Sequence, residues 1–342
     1  IPKGSLYMDT KLYTGNNSSL NTISGIPFAP DLIWIKARGA ATDHVLFDKV
    51  RGVYKSLSSN DDTVENNNPN QLQTFTSDGW TMGDLNTSNA ATTFASWNWK
   101  ANGAGSANTD GDIASTVSAN TTSGFSICSW TGNGNSGQSV GHGLGLVPKI
   151  MFVKNLNSAQ VWRVYVLSLG SDNGMILNTT STAGVDSSLW NNSTASSSIF
   201  YLGSSSSTNG NGNSMIAYIF SDIKGFSKMG SYVGNGNADG TFIYTGFKPA
   251  FVITKGTANI SSWSMTDSTI STFNDGSLEF LKANEADAES SRSNYDILSN
   301  GFKMRTTDAD YNGSGNNYIY MAFAENPFVA TSGTNAIPVT AR

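Results

Sequence analysis

Short apolar runs separated by polar turns recur along the whole chain, and this pattern predicts strands rather than helices. Three runs share one form, in which a proline is followed by an apolar stretch that ends in lysine, at residues 30–36, 148–154 and 249–255. A proline fixes the entry to a strand where no ladder hydrogen bond is needed, and an apolar run of this length suits a buried strand. The constant offset between proline and lysine indicates an internal threefold repeat.

Two further signals recur in the same order around each run. Before it, an aromatic residue leads into a Gly-Asn turn, beginning at Tyr13, Trp130 and Tyr232. After it, a strand rich in aromatic residues closes the repeat, at residues 94–99, 216–220 and 318–323. In the first and third repeats, Asp-Gly and Asn-Gly pairs at 78–79 and 300–301 predict hairpins, because both residue types tolerate positive φ.

The repeat length, roughly 100 to 120 residues, is typical of a β-sandwich domain. We therefore predict an all-β protein of three tandem, related antiparallel β-sandwich domains of the jelly-roll or lectin-like kind, joined like beads on a string. The predicted domains are residues 1–103, 104–226 and 227–328, and a small-residue stretch at residues 101–109 is predicted to be the linker between the first and second repeats. A C-terminal arm, residues 329–342, is predicted to reach a neighbouring subunit.

Composition narrows the classes of function. Charged residues make up 13% of the chain, and a net charge of −5 gives no general attraction to nucleic acid. One cysteine and two histidines supply neither an internal disulfide nor a clustered zinc site, so we expect no cofactor and no metal site, although calcium at an irregular site stays open. No apolar run approaches the roughly 20 residues of a membrane span, and insertion is not expected. Because the chain begins at Ile1, we expect a fragment or a processed product.

Residues that could carry chemistry mostly lack the partners that chemistry requires. The glycine-rich segment 132–137 has the spacing of a dinucleotide-binding loop, but no helix pattern follows it. The segment from Asn235 resembles the start of a calcium loop, yet glycine stands where a bidentate Glu is needed. Asp43 could orient His44 but no nucleophile accompanies them, and Cys128 lies in an alternating strand where a buried thiol is the ordinary role. We predict no catalytic residues and no enzyme.

The tryptophans are candidates for stacking on sugar rings. Most are expected in the cores, since three small domains need large side chains at fixed places. Trp190 and Trp263 stand among Ser and Asn residues. They are therefore the predicted ligand-binding surface aromatics.

Several segments resemble sequences of tailed-bacteriophage virion structural proteins, including tail-fibre-like proteins. They are residues 31–38, 44–48 with Arg51-Gly52, 95–100, 141–149 and 321–328. The resemblance extends from about Tyr13 to Phe328. It implies a location in the virion and, as partners, other virion subunits and a host cell-surface glycan or protein, with a homotrimer as the expected oligomer.

Three functions follow as hypotheses. The first is a tail fibre or tail appendage that contributes to binding the host surface, where several weak sites act together. The second is a capsid decoration or tail-bracing protein that packs against other virion subunits. The third, a depolymerase of host polysaccharide, needs paired carboxylates in a groove, and the sequence shows no such pair.

Overall fold

The computed structural model describes residues 3–18, 20–271, 274 and 276–324 of the chain. Its regular structure is nearly all β and its named strand pairs are antiparallel, which confirms the all-β part of the predicted fold class. The predicted arm, residues 329–342, lies outside the described residues. Within the described part, no helix is long and apolar enough to cross a lipid bilayer.

The elements fall into three sets, called units 1, 2 and 3, that follow the three sequence repeats. Unit 1 contains β1 (Met8–Thr14), β2 (Asn21–Ile23), β3 (Leu32–Ala37), β4 (Val45–Asp48), β5 (Lys55–Ser56), β6 (Asn66–Asn67), β7 (Leu72–Phe75), β8 (Trp80–Met82), α1 (Asn86–Asn89) and β9 (Thr93–Trp99). Unit 2 contains β10 (Ser106–Asn108), β11 (Ser115–Asn120), β12 (Phe125–Thr131), β13 (Gln138–Gly141), β14 (Ile150–Asn155), β15 (Arg163–Val166), β16 (Asn173–Ile176), β17 (Gly184–Val185), α2 (Ser187–Trp190), β18 (Ile199–Leu202), α3 (Ser206–Asn209) and β19 (Ser214–Phe220). Unit 3 contains β20 (Ser227–Val233), β21 (Phe242–Tyr244), β22 (Pro249–Gly256), β23 (Ser264–Asp267), β24 (Leu278–Lys282), β25 (Ser290–Arg292), β26 (Tyr295–Leu298), β27 (Gly301–Met304), α4 (Ala309–Asn312) and β28 (Asn317–Ala324).

Each unit builds a large sheet with the same strand order. The orders are β1-β9-β3-β4, β12-β19-β14-β15 and β20-β28-β22-β23, and strands β10 and β11 extend the second sheet beyond β12. A smaller sheet accompanies each large one, namely β2-β8-β7, β13-β18 and β21-β27-β26. The strand registers therefore assign equivalent positions in the three units.

The two faces of each large sheet enter different cores. In β3, Ile33 and Ile35 join Trp80 and Met82 of the small sheet in a core that belongs to unit 1. Units 2 and 3 have cores of the same kind. The opposite face of β3, which carries Leu32 and other large residues, joins a core that includes residues of all three units. The alternation of a pleated strand thus divides each sheet between a private core and a shared one.

Three aromatic rings at equivalent positions mark the centre of the shared core. The ring centroids of Trp99, Phe220 and Phe323 lie 6.0, 6.0 and 5.9 Å apart, with interplanar angles of 67° to 69°. We call them the aromatic triangle. About 10 Å³ of free space remains in this core, at most the room for one water molecule. The units are therefore not beads on a string, because each completes its packing only against the other two.

The contacts between units repeat in a cycle. Trp162 of unit 2 donates its indole N–H to the Ser58 carbonyl of unit 1 at 2.7 Å, and Trp263 of unit 3 donates to the Ile176 carbonyl of unit 2 at 2.9 Å. The equivalent residue of unit 1 is His44, whose Nε2 lies 2.9 Å from the Lys282 carbonyl of unit 3. Unit 1 therefore closes onto unit 3 and completes a pseudo-threefold ring.

The lysines that end the three apolar runs are buried at the inner face. Lys36, Lys154 and Lys255 are each 0% exposed, and each ammonium donates to one or more backbone carbonyls at the end of its own strand or in the loop that follows. Lys154 and Lys255 also donate to a carbonyl of the neighbouring unit. Burial lowers the pKa of each to about 8. These lysines hold the loops at one end of the shared core.

The predicted linker is part of a sheet. Ala101 is buried and its N–H donates to the Asp31 carboxylate at 2.7 Å, and residues 106–108 form β10, which pairs with β11. The small residues that suggested a linker lie instead along the edge of an eight-stranded sheet. In the described part, β11 covers the edge of β12, whereas the equivalent edges of β1 and β20 carry charges, including Lys11 and Lys228, as solvent-facing edges commonly do.

A buried polar pair joins the inner faces of neighbouring units at two of the three interfaces. Tyr218 donates to the Asp48 carboxylate at 2.8 Å, and Trp97 donates to the Asp267 carboxylate at 2.6 Å. At the third interface the equivalent positions are Met321 and Val166, both in the shared core. At this third interface, both the donor position and the acceptor position are therefore apolar.

Asp267 is expected to make stability depend on pH. It is 1% exposed, and burial raises its pKa to about 6 although the N–H groups of Trp97, Ile270 and Thr269 lower it. An unfolded aspartate has a pKa of about 3.9, so the folded chain holds this proton more tightly. The resulting stabilisation is complete below about pH 4 and is lost as the pH rises through about 6, a change of about 3 kcal/mol.

Chemical denaturation of the wild type and of Asp267→Asn between pH 4 and 7 measures this effect. The free energy of unfolding of the wild type, minus that of the variant, should fall as the pH rises, because only the wild type carries the titrating carboxyl. A difference that stays constant over this range would show that Asp267 titrates normally.

Candidate binding site

The Gly-Asn turns are held by one buried asparagine in each unit. Asn89, Asn209 and Asn312 end α1, α3 and α4 and are each 0% exposed. In unit 3, the Asn312 side chain accepts the N–H of Asn235 at 3.0 Å and donates to the carbonyls of Asn237 and Thr306 at 2.8 Å. We call this arrangement the asparagine latch.

The latch repeats with the same geometry in the other units. Asn209 accepts the N–H of Asn133 at 2.9 Å, and Asn89 accepts the N–H of Asn16 at 3.1 Å. The turns recognised in the sequence were therefore found correctly, but their partners were missed. An asparagine four or five residues before each closing strand was the signal that could have found them.

The latch also accounts for the two loops that resemble ligand motifs. The Asn133 side chain accepts the N–H of Asn135, and the Asn235 side chain accepts the N–H of Asn237, as in ordinary Asx turns. Asp239 is paired with Lys303 and Arg305. Among the described residues, no group of three or more potential metal-ligating side chains lies together.

Trp190 and Trp263, the predicted surface aromatics, are buried. Each is 1% exposed, and the indole N–H of Trp190 donates to the Asn173 carbonyl at 3.1 Å while its ring packs edge-on against Tyr165. Trp263 lies in the shared core. The polar neighbours that suggested a surface position lie in the adjoining turns, whereas the indoles point inward.

The remaining sequence candidates are structural. The Asp43 carboxylate accepts from Asn60, whereas the His44 ring accepts from Trp34 at Nδ1, so that Nε2 carries the proton. Burial, followed by the nearby Lys36, lowers the pKa of His44 to about 3. Burial also raises the pKa of Cys128 to about 12, which keeps the thiol protonated.

An open cleft of about 620 Å³ lies between units 1 and 2. One wall comes from unit 1 and includes Arg51, Lys55 and Glu65. The other comes from β11, β12 and β19 of unit 2 and is rich in hydroxyl groups. Because β10 and β11 have no equivalent in the described parts of units 1 and 3, this wall is specific to one interface.

The charges on the unit 1 wall form a connected network. Arg51 pairs with Asp48 and lies with Nη1 3.3 Å from Glu65, and Lys55 Nζ lies 3.8 Å from the same Glu65 carboxylate. Burial alone lowers the pKa of Arg51, but the Asp48 carboxylate and its neighbours more than offset this and raise it overall. The equivalent positions in units 2 and 3 are Leu169 and Ile270, so the guanidinium is also specific to this interface.

Two cationic side chains and one anionic side chain line the cleft together with several hydroxyl groups. Lys55 is 40% exposed at its side chain and Glu65 is 18% exposed. On the opposite wall, Thr116, Ser129 and Thr131 present hydroxyls from neighbouring strands. Such a surface offers hydrogen-bond donors and acceptors at many points, which suits a polyhydroxylated ligand of the size of a small sugar.

The chain matches one family model, described as a domain of unknown function (DUF7483), over residues 3–327. The match spans all three units. No curated protein and no solved structure matches the chain.

Proposed function

The chain belongs to the family DUF7483, a domain of unknown function, and from its interface cleft we propose a non-enzymatic structural role in a bacteriophage particle. In this proposal the chain is a tail fibre or tail appendage that contributes to binding a glycan or protein of the host surface. The observation that carries the binding role is the polar cleft between units 1 and 2. The virion location rests on the sequence resemblance from Tyr13 to Phe328.

The arrangement of carboxylates supports a binding role over hydrolysis. A glycosidase needs one carboxyl to donate a proton and a second to act as base or nucleophile. Here Arg51 contacts both Asp48 and Glu65, and Asp48 is 0% exposed and also accepts from Tyr218. Both carboxylates are therefore engaged in a network that joins two units.

Cryo-electron microscopy of the intact particle tests the proposed location. Projection of the chain from the tail supports the appendage role. Close packing on the head or the tail shaft would replace it with a bracing role, and absence of the chain from the particle would overturn both.

Truncation of Lys55 is expected to weaken glycan binding at the cleft. Lys55→Ala removes the exposed ammonium, and a lost charge-assisted hydrogen bond of about 1.5 kcal/mol corresponds to roughly tenfold in affinity. Calorimetric titration with purified bacterial lipopolysaccharide, capsular polysaccharide and teichoic acid measures the change. The matched control is Lys224→Ala, which removes an exposed lysine outside the cleft. Equal affinities for wild type and Lys55→Ala would contradict binding at this site.

A capsid-decorating or tail-bracing role is the second candidate. It is favoured by the closed pseudo-threefold ring, in which equivalent contacts join each unit to the next. A chain with this pseudo-threefold symmetry would fit on a threefold axis of a particle. The expected homotrimer stays a proposal, and sedimentation of the purified chain tests it.

We also propose that the three units derive from tandem β-sandwich domains. The private core and the small sheet of each unit support this origin. Fusion around the shared core would then have turned three sandwiches into one cooperative structure.

A further inference from the structure

Two aromatic rings lie exposed on the outer face of the small sheet of unit 3. Phe242 and Tyr244 alternate with buried Ile243 on β21, and their exposures are 43% and 58%. Residues two apart on a strand point to the same side, so both rings belong to one surface. We call this surface the aromatic platform.

Glycines beneath the rings leave room for them to lie close to the backbone. A Cβ added at Gly301 would lie 3.1 Å from Cε2 of Phe242, and one added at Gly246 would lie 3.5 Å from the Tyr244 hydroxyl. Lys228 approaches the Tyr244 ring, with its Nζ 5.3 Å from the ring centroid. The platform is thus a supported surface rather than two loose side chains.

The fold does not require aromatic residues at these positions. The strand registers equate Phe242 and Tyr244 with Thr22 and Ser24 in unit 1. Thr22 and Ser24 are exposed, and the Thr22 hydroxyl lies 3.3 Å from that of Thr81.

Unit 2 covers the same face with its own chain. Its equivalent residues are Ser139 and Gly141, and the Asp112 carboxylate accepts both the N–H and the hydroxyl of Ser139. A Cβ at Gly141 would lie 1.8 Å from the Asn108 side chain. Exposed rings at this position are therefore a feature of unit 3.

The charges beside the platform are mutually paired. Asp239 lies 2.6 Å from Lys303 and 3.1 Å from Arg305, and Arg305 also pairs with Asp296. Lys303 is paired with Phe242 on the neighbouring strand, and Asp296 is paired with Lys303 on the next, so both lie beside the ring on one side of it. These two cations and two anions balance one another and offer both donors and acceptors, while the ammonium of Lys228, on the other side of the platform, donates to the Tyr244 carbonyl at 3.0 Å.

We propose that the aromatic platform is a second binding site, whose ligand is a neutral glycan that stacks its sugar rings on Phe242 and Tyr244. A pyranose ring has an apolar face that suits an exposed aromatic ring, and hydroxyl edges that suit a charge-balanced polar rim. A strongly charged ligand would have to break the existing ion pairs. The site is separate from the cleft and does not depend on ligand binding there.

Calorimetric titration of the full chain with maltohexaose, cellohexaose and chitohexaose tests the proposal. At least one hexaose should bind the wild type, and the variant Phe242→Thr/Tyr244→Ser should bind it at least about tenfold more weakly. These substitutions install the residues that unit 1 carries at the same positions, so the fold should be kept, as an unchanged thermal unfolding midpoint would confirm. Val185→Ser/Ile260→Ser, which removes two exposed apolar side chains elsewhere, should leave affinity unchanged.

Absence of binding to all three hexaoses, or equal binding by the platform variant, would overturn the proposal. If the platform variant loses incorporation into particles while the wild type binds no hexaose, the face docks a protein subunit and the glycan assignment is wrong. Lys55→Ala separates the two sites, because it should leave hexaose binding at the platform intact. Loss of hexaose binding in Lys55→Ala alone would assign that ligand to the cleft and overturn the platform.

Discussion

Trp99→Ala is expected to destabilise the whole chain by about 4 kcal/mol or more, because it removes one of the three rings of the aromatic triangle. The Trp99 ring contacts Phe220 of unit 2 and both Phe251 and Phe323 of unit 3 at centroid distances of 5.9 to 6.0 Å. Little free space surrounds these rings, so the neighbours cannot refill the cavity without moving whole sheets. The loss of stability should therefore affect all three units.

Urea denaturation followed by circular dichroism and by tryptophan fluorescence measures this effect. Both signals should shift together to lower urea concentration in one transition, as expected for a single cooperative core. The matched control is Trp99→Phe, since phenylalanine occupies the equivalent positions 220 and 323 and the Trp99 indole N–H has no partner in the described structure. This control should cost far less than the alanine variant. Two separate transitions in Trp99→Ala, with one unchanged from the wild type, would contradict a shared core.

Asn312→Ala is expected to cost about 2 to 4 kcal/mol by opening the asparagine latch of unit 3. The substitution leaves the N–H of Asn235 and the carbonyls of Asn237 and Thr306 without the partner that now satisfies them. The three hydrogen bonds are partly buried, and the backbone groups that lose their partner carry most of this cost.

Thermal and urea denaturation of Asn312→Ala measure the loss, with Asn317→Ala as the matched control. Asn317 begins β28 and its side chain is exposed, so its truncation should change the free energy of unfolding by no more than about 0.5 kcal/mol. The equivalent variants Asn89→Ala and Asn209→Ala should behave like Asn312→Ala. An effect confined to one of the three would show that the latch is not a shared device.

Local pattern was enough to predict the β class and the recurring strands. Alternation, turn residues and the constant spacing from proline to lysine are properties of neighbouring residues, and β3, β14 and β22 begin and end close to the predicted runs. The Gly-Asn turns were found for the same reason. Their latch partners lie more than 70 residues away in the chain, beyond the range of such patterns.

The errors concern burial and strand pairing, which depend on residues outside the local pattern. The tryptophan at 263 stands among serines, but its indole donates to a carbonyl 87 residues away in unit 2. Residues 101–109 have the composition of a linker, but pairing with β11 and the contact with Asp31 order them. The cleft and the platform were not predicted, because each arises where one unit differs in structure or sequence from the other two. The differences are the added strands β10 and β11 in unit 2 and the aromatic residues Phe242 and Tyr244 in unit 3. A repeat found in the sequence draws attention to what the copies share, whereas these two sites depend on what differs.

Closure of unit 1 onto unit 3 has a consequence for synthesis of the chain. The bonds that close the ring, such as His44 to Lys282 and Arg38 to Glu289, join residues 238 and 251 positions apart. As the chain leaves the ribosome, the inner apolar face of unit 1 must therefore wait for the last strands before it is covered. Until then, charged residues on edge strands, such as Lys11 on β1, oppose edge-to-edge association between nascent chains. Yield of soluble protein should accordingly depend on the speed of translation and on chaperones more strongly than for three sandwiches that fold one at a time.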